Sequence, residues 1–195
     1  MISTRVSGNG DDSMKALLVV DVQNDFCPGG PLAVPDGDKV VPVINKLMES
    51  FDLVVASKDW HPKDTVHFKK WPPHCVQNTK GADLHQKLNA SKIKKIFLKG
   101  TRNKDDGYSA FEATSADLAA FLKKEHVTDL YVCGLATDYC VKASAMDADK
   151  NGFETYVVED AVAAVNVKPA DGEKALKEMA HAGITLINSS EISKD

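Results

Sequence analysis

Apolar positions along this chain fall into short unbroken runs, separated by stretches in which they recur every three to four residues. The run KALLVVD (15–21) is apolar at consecutive positions, which suits a strand buried on both faces. LVVAS (53–57), KIFLK (95–99), DLYVCGL (129–135), TYVVED (155–160) and ITLIN (184–188) read as strands in the same way. Val40, Ile44, Leu47, Met48 and Phe51 form one stripe at helical spacing. Asp38 is its expected N-cap, and Pro42 falls in the first turn, where a missing N–H costs nothing. Further helices are expected near 115–125, 138–151 and 171–182. Thr114 and Asp117 have capping-box spacing, and Gly152 and Gly183 sit where helix C-caps belong. Strand alternating with helix predicts an α/β fold: a mainly parallel sheet of about six strands with helices on both faces, a three-layer Rossmann-like arrangement. Two long stretches, 60–92 and 100–113, show neither period. Loops of that length are usually functional or disordered, and Trp60, His61, Trp71 and His74 argue against disorder in the first.

Composition narrows the function. The chain has 195 residues, 43% hydrophobic and 27% charged, with net charge −4, which gives no basic footprint for nucleic acid or an anionic membrane. No apolar run is long enough to span a bilayer. Residues 1–13 are polar, lack the apolar core of a secretory signal and are expected to form a disordered extension ahead of a single domain over 14–195. The four cysteines, Cys27, Cys75, Cys133 and Cys140, form no CxxC pair, which favours reduced thiols in a cytoplasmic protein. The oligomeric state stays open, a homo-oligomer included.

In sheets of this kind ligands bind beyond the carboxyl ends of the strands. The first run ends in Asp21, the third in Lys99, and the DLYVCGL run is followed by ATDYC, which puts Cys140 near a helix start. Singly, each has an ordinary explanation: a turn-capping acid, a lysine leaving the core, a small buried hydrophobe. Together they place an acid, a cation and a thiol on one edge. A helix start and a lysine both favour thiolate over thiol, and a carboxylate can take the thiol proton and return it to a leaving group. Cys133 lies inside a strand and reads as core.

The stretch KDWHPKDTVHFKKWPPHCV (58–76) holds three of the six histidines. Asp59 and His61 lie two residues apart just after a strand, so both face one side. His67 and His74 follow 6 and 13 residues beyond His61, within reach across a loop. Aspartate with imidazoles suits zinc, iron or manganese better than calcium or magnesium, and the spacing is not that of a structural zinc finger.

These motifs resemble a known family. DVQNDFCPGG (21–30), DWH (59–61), WPPHC (71–75), KG (99–100) and GLATDYCV (134–141) are similar to those of the nicotinamidases, within the isochorismatase-like cysteine hydrolases. The resemblance runs from about Met14 to the last strand. It implies Asp21, Lys99 and Cys140 as a catalytic triad, and Asp59, His61 and His74 as metal ligands, with His67 at a fourth position that only some members fill with histidine. It implies a cis peptide at Leu135–Ala136, with the backbone N–H groups of Ala136 and Cys140 forming an oxyanion hole. Phe26, Trp71 and Tyr108 match substrate-pocket positions. The segment GTRNKDDG (100–107) has a length that varies in the family, and Tyr139, before the cysteine, is a variable position.

The activity so implied is conversion of nicotinamide, and by shape pyrazinamide, to the acid and ammonia in NAD salvage. It would use one divalent ion, zinc ahead of iron or manganese. Another small amide or ureido compound is the alternative substrate class, although such relatives need no anchor for a ring nitrogen. A non-catalytic binding protein is disfavoured by the intact triad, and vinyl-ether cleavage by Cys140.

Overall fold

The computed structural model describes residues 14–193, so the expected extension over 1–13 lies outside the described residues. At the centre is β1 (Met14–Val20), in which Ala16 to Val20 expose no surface. The other strands are β2 (Leu53–Asp59), β3 (Lys95–Lys99), β4 (Val127–Leu135), β5 (Glu154–Ala163) and β6 (Thr185–Ile187). They form one sheet in the order β3-β2-β1-β4-β5-β6 with every neighbouring pair parallel.

The unbroken apolar runs follow from this burial, because successive residues feed opposite faces. Leu17 and Val19, with Val54 and Ala56, pack towards Val40, Val41, Ile44 and Leu47 of α1 (Val40–Leu47). Ala16, Leu18 and Val20, with Val55 and Phe97, pack towards three helices on the other face. These are α2 (Leu118–Lys124), α3 (Lys142–Lys150) and α4 (Asp171–His181), which contribute Leu118, Leu122, Ala145, Ala148 and Met179. Each fully buried Val, Leu, Ile, Phe or Met among them contributes about 1.5–3 kcal/mol.

Local signals differ from expectation at two helix starts. Asp38 does not cap α1; it lies in a tight turn (Gly37–Lys39), and Lys39 occupies the cap without a side-chain bond. Thr114 and Asp117 do not form a capping box: Asp117 is itself the N-cap of α2, accepting from Ala120 N at 2.9 Å. A capping box lies earlier, between Ser109 and Glu112, and another later, between Asn188 and Glu191. Gly152 and Gly183 do follow their helices with positive φ.

From β1 the chain builds outward through β2 and β3, then returns to β4 on the other side of β1. The crevice at such a reversal is where open α/β sheets bind ligands. Four adjacent strands, β3, β2, β1 and β4, deliver Lys99, Asp59, Asp21 and Cys140 to that edge.

Candidate active site

Asp21 immediately follows β1 and is held at φ +49°, a left-handed conformation that is strained for a non-glycine residue. Its side chain is wholly buried. Oδ1 accepts a hydrogen bond from Ser57 Oγ at 2.7 Å, and Oδ2 lies 2.7 Å from Lys99 Nζ in an ion pair, with no further aligned partner. Burial pushes the Asp21 carboxyl up to about 6, and Asp59 adds to this, while Lys99 and Ser57 oppose it.

Lys99 Nζ, also wholly buried, reaches Asp59 Oδ1 at 2.5 Å, the Gly107 carbonyl at 2.7 Å and Cys140 Sγ at 3.4 Å. Burial opposes its charge, but Asp21, Asp59 and Cys140 outweigh that and hold it firmly protonated.

Cys140 sits in a wide turn (Thr137–Val141), closed by Val141 N donating to Ala136 O at 3.1 Å, just ahead of α3. The Leu135–Ala136 peptide bond before it is cis. The lysine and helix start favour thiolate, but burial acts against them. Burial pushes the Cys140 thiol well above its ordinary value, Lys99 only partly offsets this, and Asp21 and Asp59 add to it. The resting cluster is therefore a neutral thiol beside a carboxylate. Cys27, Cys75 and Cys133 are free and buried, and burial pushes their thiols up as well, that of Cys27 to about 11.

The histidines converge. Ligating atoms of His61, His67 and His74 lie within 4.8 Å of one another, and all three residues are buried. Each ring uses Nδ1 on an oxygen that can only accept: Gly100 O for His61 at 3.0 Å, Asp105 Oδ1 for His67 at 3.0 Å, and Pro72 O for His74 at 2.7 Å. Nδ1 is thus the protonated nitrogen and Nε2 carries the lone pair. His61 Nε2 is buried without a hydrogen-bond partner, and it faces Asp59 Oδ2 at 3.5 Å. His74 Nε2 faces the same oxygen at 3.8 Å. Acceptors facing one another in a buried site call for a cation between them. Burial pushes His74 down to about 4 and lowers His67, so these two imidazoles are neutral near pH 7, as metal ligands must be. Burial opposes ionisation of Asp59, but Lys99 holds it well below the usual carboxylate range. The residues fit a divalent ion held by Asp59, His61, His67 and His74.

Cys140 and the histidine cluster open onto one pocket, lined also by Ala136 and Asp59 and by Phe26, Trp71 and Tyr108. Tyr139, Leu32, Val34, Leu135 and Val165 add apolar surface. Trp71 Nε1 donates to Tyr108 Oη at 3.1 Å, and Tyr139 meets Trp71 edge to face at 5.0 Å. A sequence model of the isochorismatase domain matches residues 15–191. The chain belongs to the isochorismatase family.

Within that family several of its relatives are nicotinamidases, in line with the resemblance read from its motifs. It is 41% identical to a nicotinamidase of Escherichia coli (strain K12) over 201 residues, covering 88% of this chain and 93% of the relative. A solved nicotinamidase/pyrazinamidase of Acinetobacter baumanii superposes with TM-score 0.86 at 37% identity, covering 92% of this chain and 98% of the other. A pyrazinamidase of Pyrococcus horikoshii in complex with zinc superposes with TM-score 0.78 at 43% identity, covering 90% and 99%.

Several residues around this family's shared motifs escape sequence reading. Ser57 lies two residues before Asp59 in β2, paired in register with Val20, so it flanks Asp21. A lone polar residue ending an apolar run was the available signal. Gln23 clamps Asp59 in both directions: Nε2 donates to Asp59 O and Oε1 accepts from Asp59 N, each at 2.8 Å. The contact of Lys99 with Asp59, which joins the two clusters, had no local signal at all.

Proposed function

We propose that this chain hydrolyses nicotinamide to nicotinate and ammonia through a thioester on Cys140, as a single domain over residues 14–195 serving NAD salvage in the cytoplasm. The observation that carries the reading is one pocket lined by both Cys140 and the histidine cluster, with Asp21 and Lys99 buried behind Cys140 and Lys99 joined to the histidine side through Asp59. The nicotinamidase and pyrazinamidase relatives support nicotinamide and pyrazinamide as substrates. The zinc complex of the Pyrococcus protein supports zinc ahead of iron or manganese. When bound, the ion supplies a Lewis-acidic anchor for the ring nitrogen, which fixes the amide carbon relative to Cys140.

Asp21 takes the Cys140 proton. A carboxylate oxygen of Asp21 and Cys140 Sγ lie within 4.8 Å of each other. A carboxyl lifted to about 6 is ionised at neutral pH, yet far more basic than an ordinary aspartate. The thiolate attacks the amide carbon, and the Ala136 and Cys140 N–H groups take the developing oxyanion, an effect of about 3 kcal/mol per donor. Asp21 returns its proton to the departing nitrogen, ammonia leaves, and the acyl group stays on Sγ. Asp21, ionised again, then draws a proton from the water that attacks the thioester carbon; the acid leaves and Cys140 recovers its proton. Lys99 balances the negative charge at each stage. Phe26, Trp71 and Tyr108 offer aromatic surface to a planar ring, each contact contributing about 0.5–1.5 kcal/mol.

Ammonia release from nicotinamide and from benzamide, on protein of known metal content, tests the reading. Turnover of nicotinamide alone supports it. Turnover of both keeps the cysteine chemistry and removes the role given to the histidines. Turnover of neither contradicts the substrate.

A further inference from the structure

The segment 100–108 is tied at successive points to the turn that carries His67 (Val66–Lys69) and to Lys99. Asn103 Oδ1 accepts from Val66 N at 2.8 Å, and the Gly107 carbonyl accepts from Lys99 Nζ at 2.7 Å. Between them, Asp105 Oδ1 accepts from His67 Nδ1 at 3.0 Å and lies 3.5 Å from the Tyr108 hydroxyl. Asp105 Oδ2 pairs with Lys70. His61 and His74 orient their rings on backbone carbonyls, of Gly100 and Pro72. His67 alone of the three depends on a side chain for its Nδ1 partner, and that side chain comes from a segment 38 residues away.

We propose that Asp105 is a positioning residue for the metal centre: it fixes His67 in the tautomer that points Nε2 at the other ligands, and so makes the 100–108 segment part of ion retention. This rests on the metal-site reading above. Without an acceptor at Nδ1 the His67 ring can turn or carry its proton on Nε2, and the fourth ligand is lost. Partners of this kind typically change metal affinity 10–100-fold. The Asp105 side chain is 27% exposed, so water replaces part of what it provides and the lower end, about 10-fold, is expected.

The test is zinc affinity in competition with a chromogenic chelator, without substrate, on full-length wild type, Asp105→Ala and Asp105→Asn, with folding of each checked by circular dichroism. Asp105→Ala is expected to bind zinc about 10-fold more weakly. Asp105→Asn, whose carbonyl still accepts from Nδ1 and whose size is unchanged, is expected to recover most of that loss. Asp105→Ala binding zinc as wild type does would overturn the proposal, and so would Asp105→Asn proving as weak as Asp105→Ala. Wild type that takes up no zinc would sink the metal-site reading and this inference with it; normal uptake by wild type with an unmoved Asp105→Ala sinks the inference alone.

Discussion

Ser57→Ala removes one hydrogen bond from Asp21 and leaves the other catalytic groups in place. Ser57 Oγ donates to Asp21 Oδ1 at 2.7 Å, and both residues are wholly buried, so no water stands ready to replace the donor. A hydrogen bond to a charged group contributes about 1.5–3 kcal/mol, and one to the neutral acid about half as much. The difference, about 0.75–1.5 kcal/mol, favours the carboxylate and corresponds to about 0.5–1 pH unit. Asp21 must be ionised to accept the Cys140 proton, so kcat/KM falls as pH drops through its pKa, which burial places at about 6. Without Ser57 the carboxylate loses support, its pKa rises, and the acid limb moves up by about 0.5–1 unit. The assay is kcat/KM for nicotinamide from about pH 4.5 to 8.5, a range that spans the acid limb and the plateau above it. The variant should approach wild type at the alkaline end and diverge below neutrality. An acid limb that stays put or moves down would refute the reasoning, as would a uniform loss at all pH values.

Other perturbations separate the two clusters. Cys140→Ala should lower kcat by roughly 10⁴-fold or more, as removal of a nucleophile does, while zinc content stays at the wild-type level by elemental analysis. His74→Ala and Asp59→Ala should both lose zinc. Asp59→Ala should also lower the urea midpoint further, because it strips Lys99 of one of two buried counter-charges, a break that costs about 3–5 kcal/mol. Gly100→Ala should lose zinc although it alters no ligand. Its φ is +62°, and a Cβ there would stand 2.4 Å from His61 Cε1. The left-handed conformation alone costs about 1–2 kcal/mol for a residue with a side chain, so a drop in melting temperature should accompany the loss of metal.

What the sequence makes legible follows from how far each interaction reaches. β1 and β4 announce themselves because strands buried on both faces are apolar at consecutive positions, and their ends point to Asp21 and the Cys140 turn. The histidine stretch stands out because the chain spends so many imidazoles in a loop that has no period. The supporting bonds are invisible at that scale. Ser57 to Asp21 and Gln23 to Asp59 each span 36 residues, and Lys99 to Asp59 spans 40, so no window of local pattern contains both partners. The protonation of Cys140 is illegible for another reason. Proximity to a lysine and a helix start favours thiolate, but the depth of burial, which only the packed structure reveals, opposes it and is the larger effect. Helix caps miss by a few residues because short polar side chains recur near every turn and several can compete for one N–H.

The central claim is that Cys140 attacks the amide of a pyridine ring held by the histidine side of the same pocket. Acid-quenching zinc-loaded enzyme during turnover of nicotinamide, followed by mass spectrometry of its peptides, tests that most directly. A nicotinoyl adduct is expected on the Cys140 peptide that disappears as substrate is exhausted, with no matching adduct from benzamide. Turnover of nicotinamide with no acylated Cys140 at any quench time, together with undiminished activity of Cys140→Ala, would contradict it.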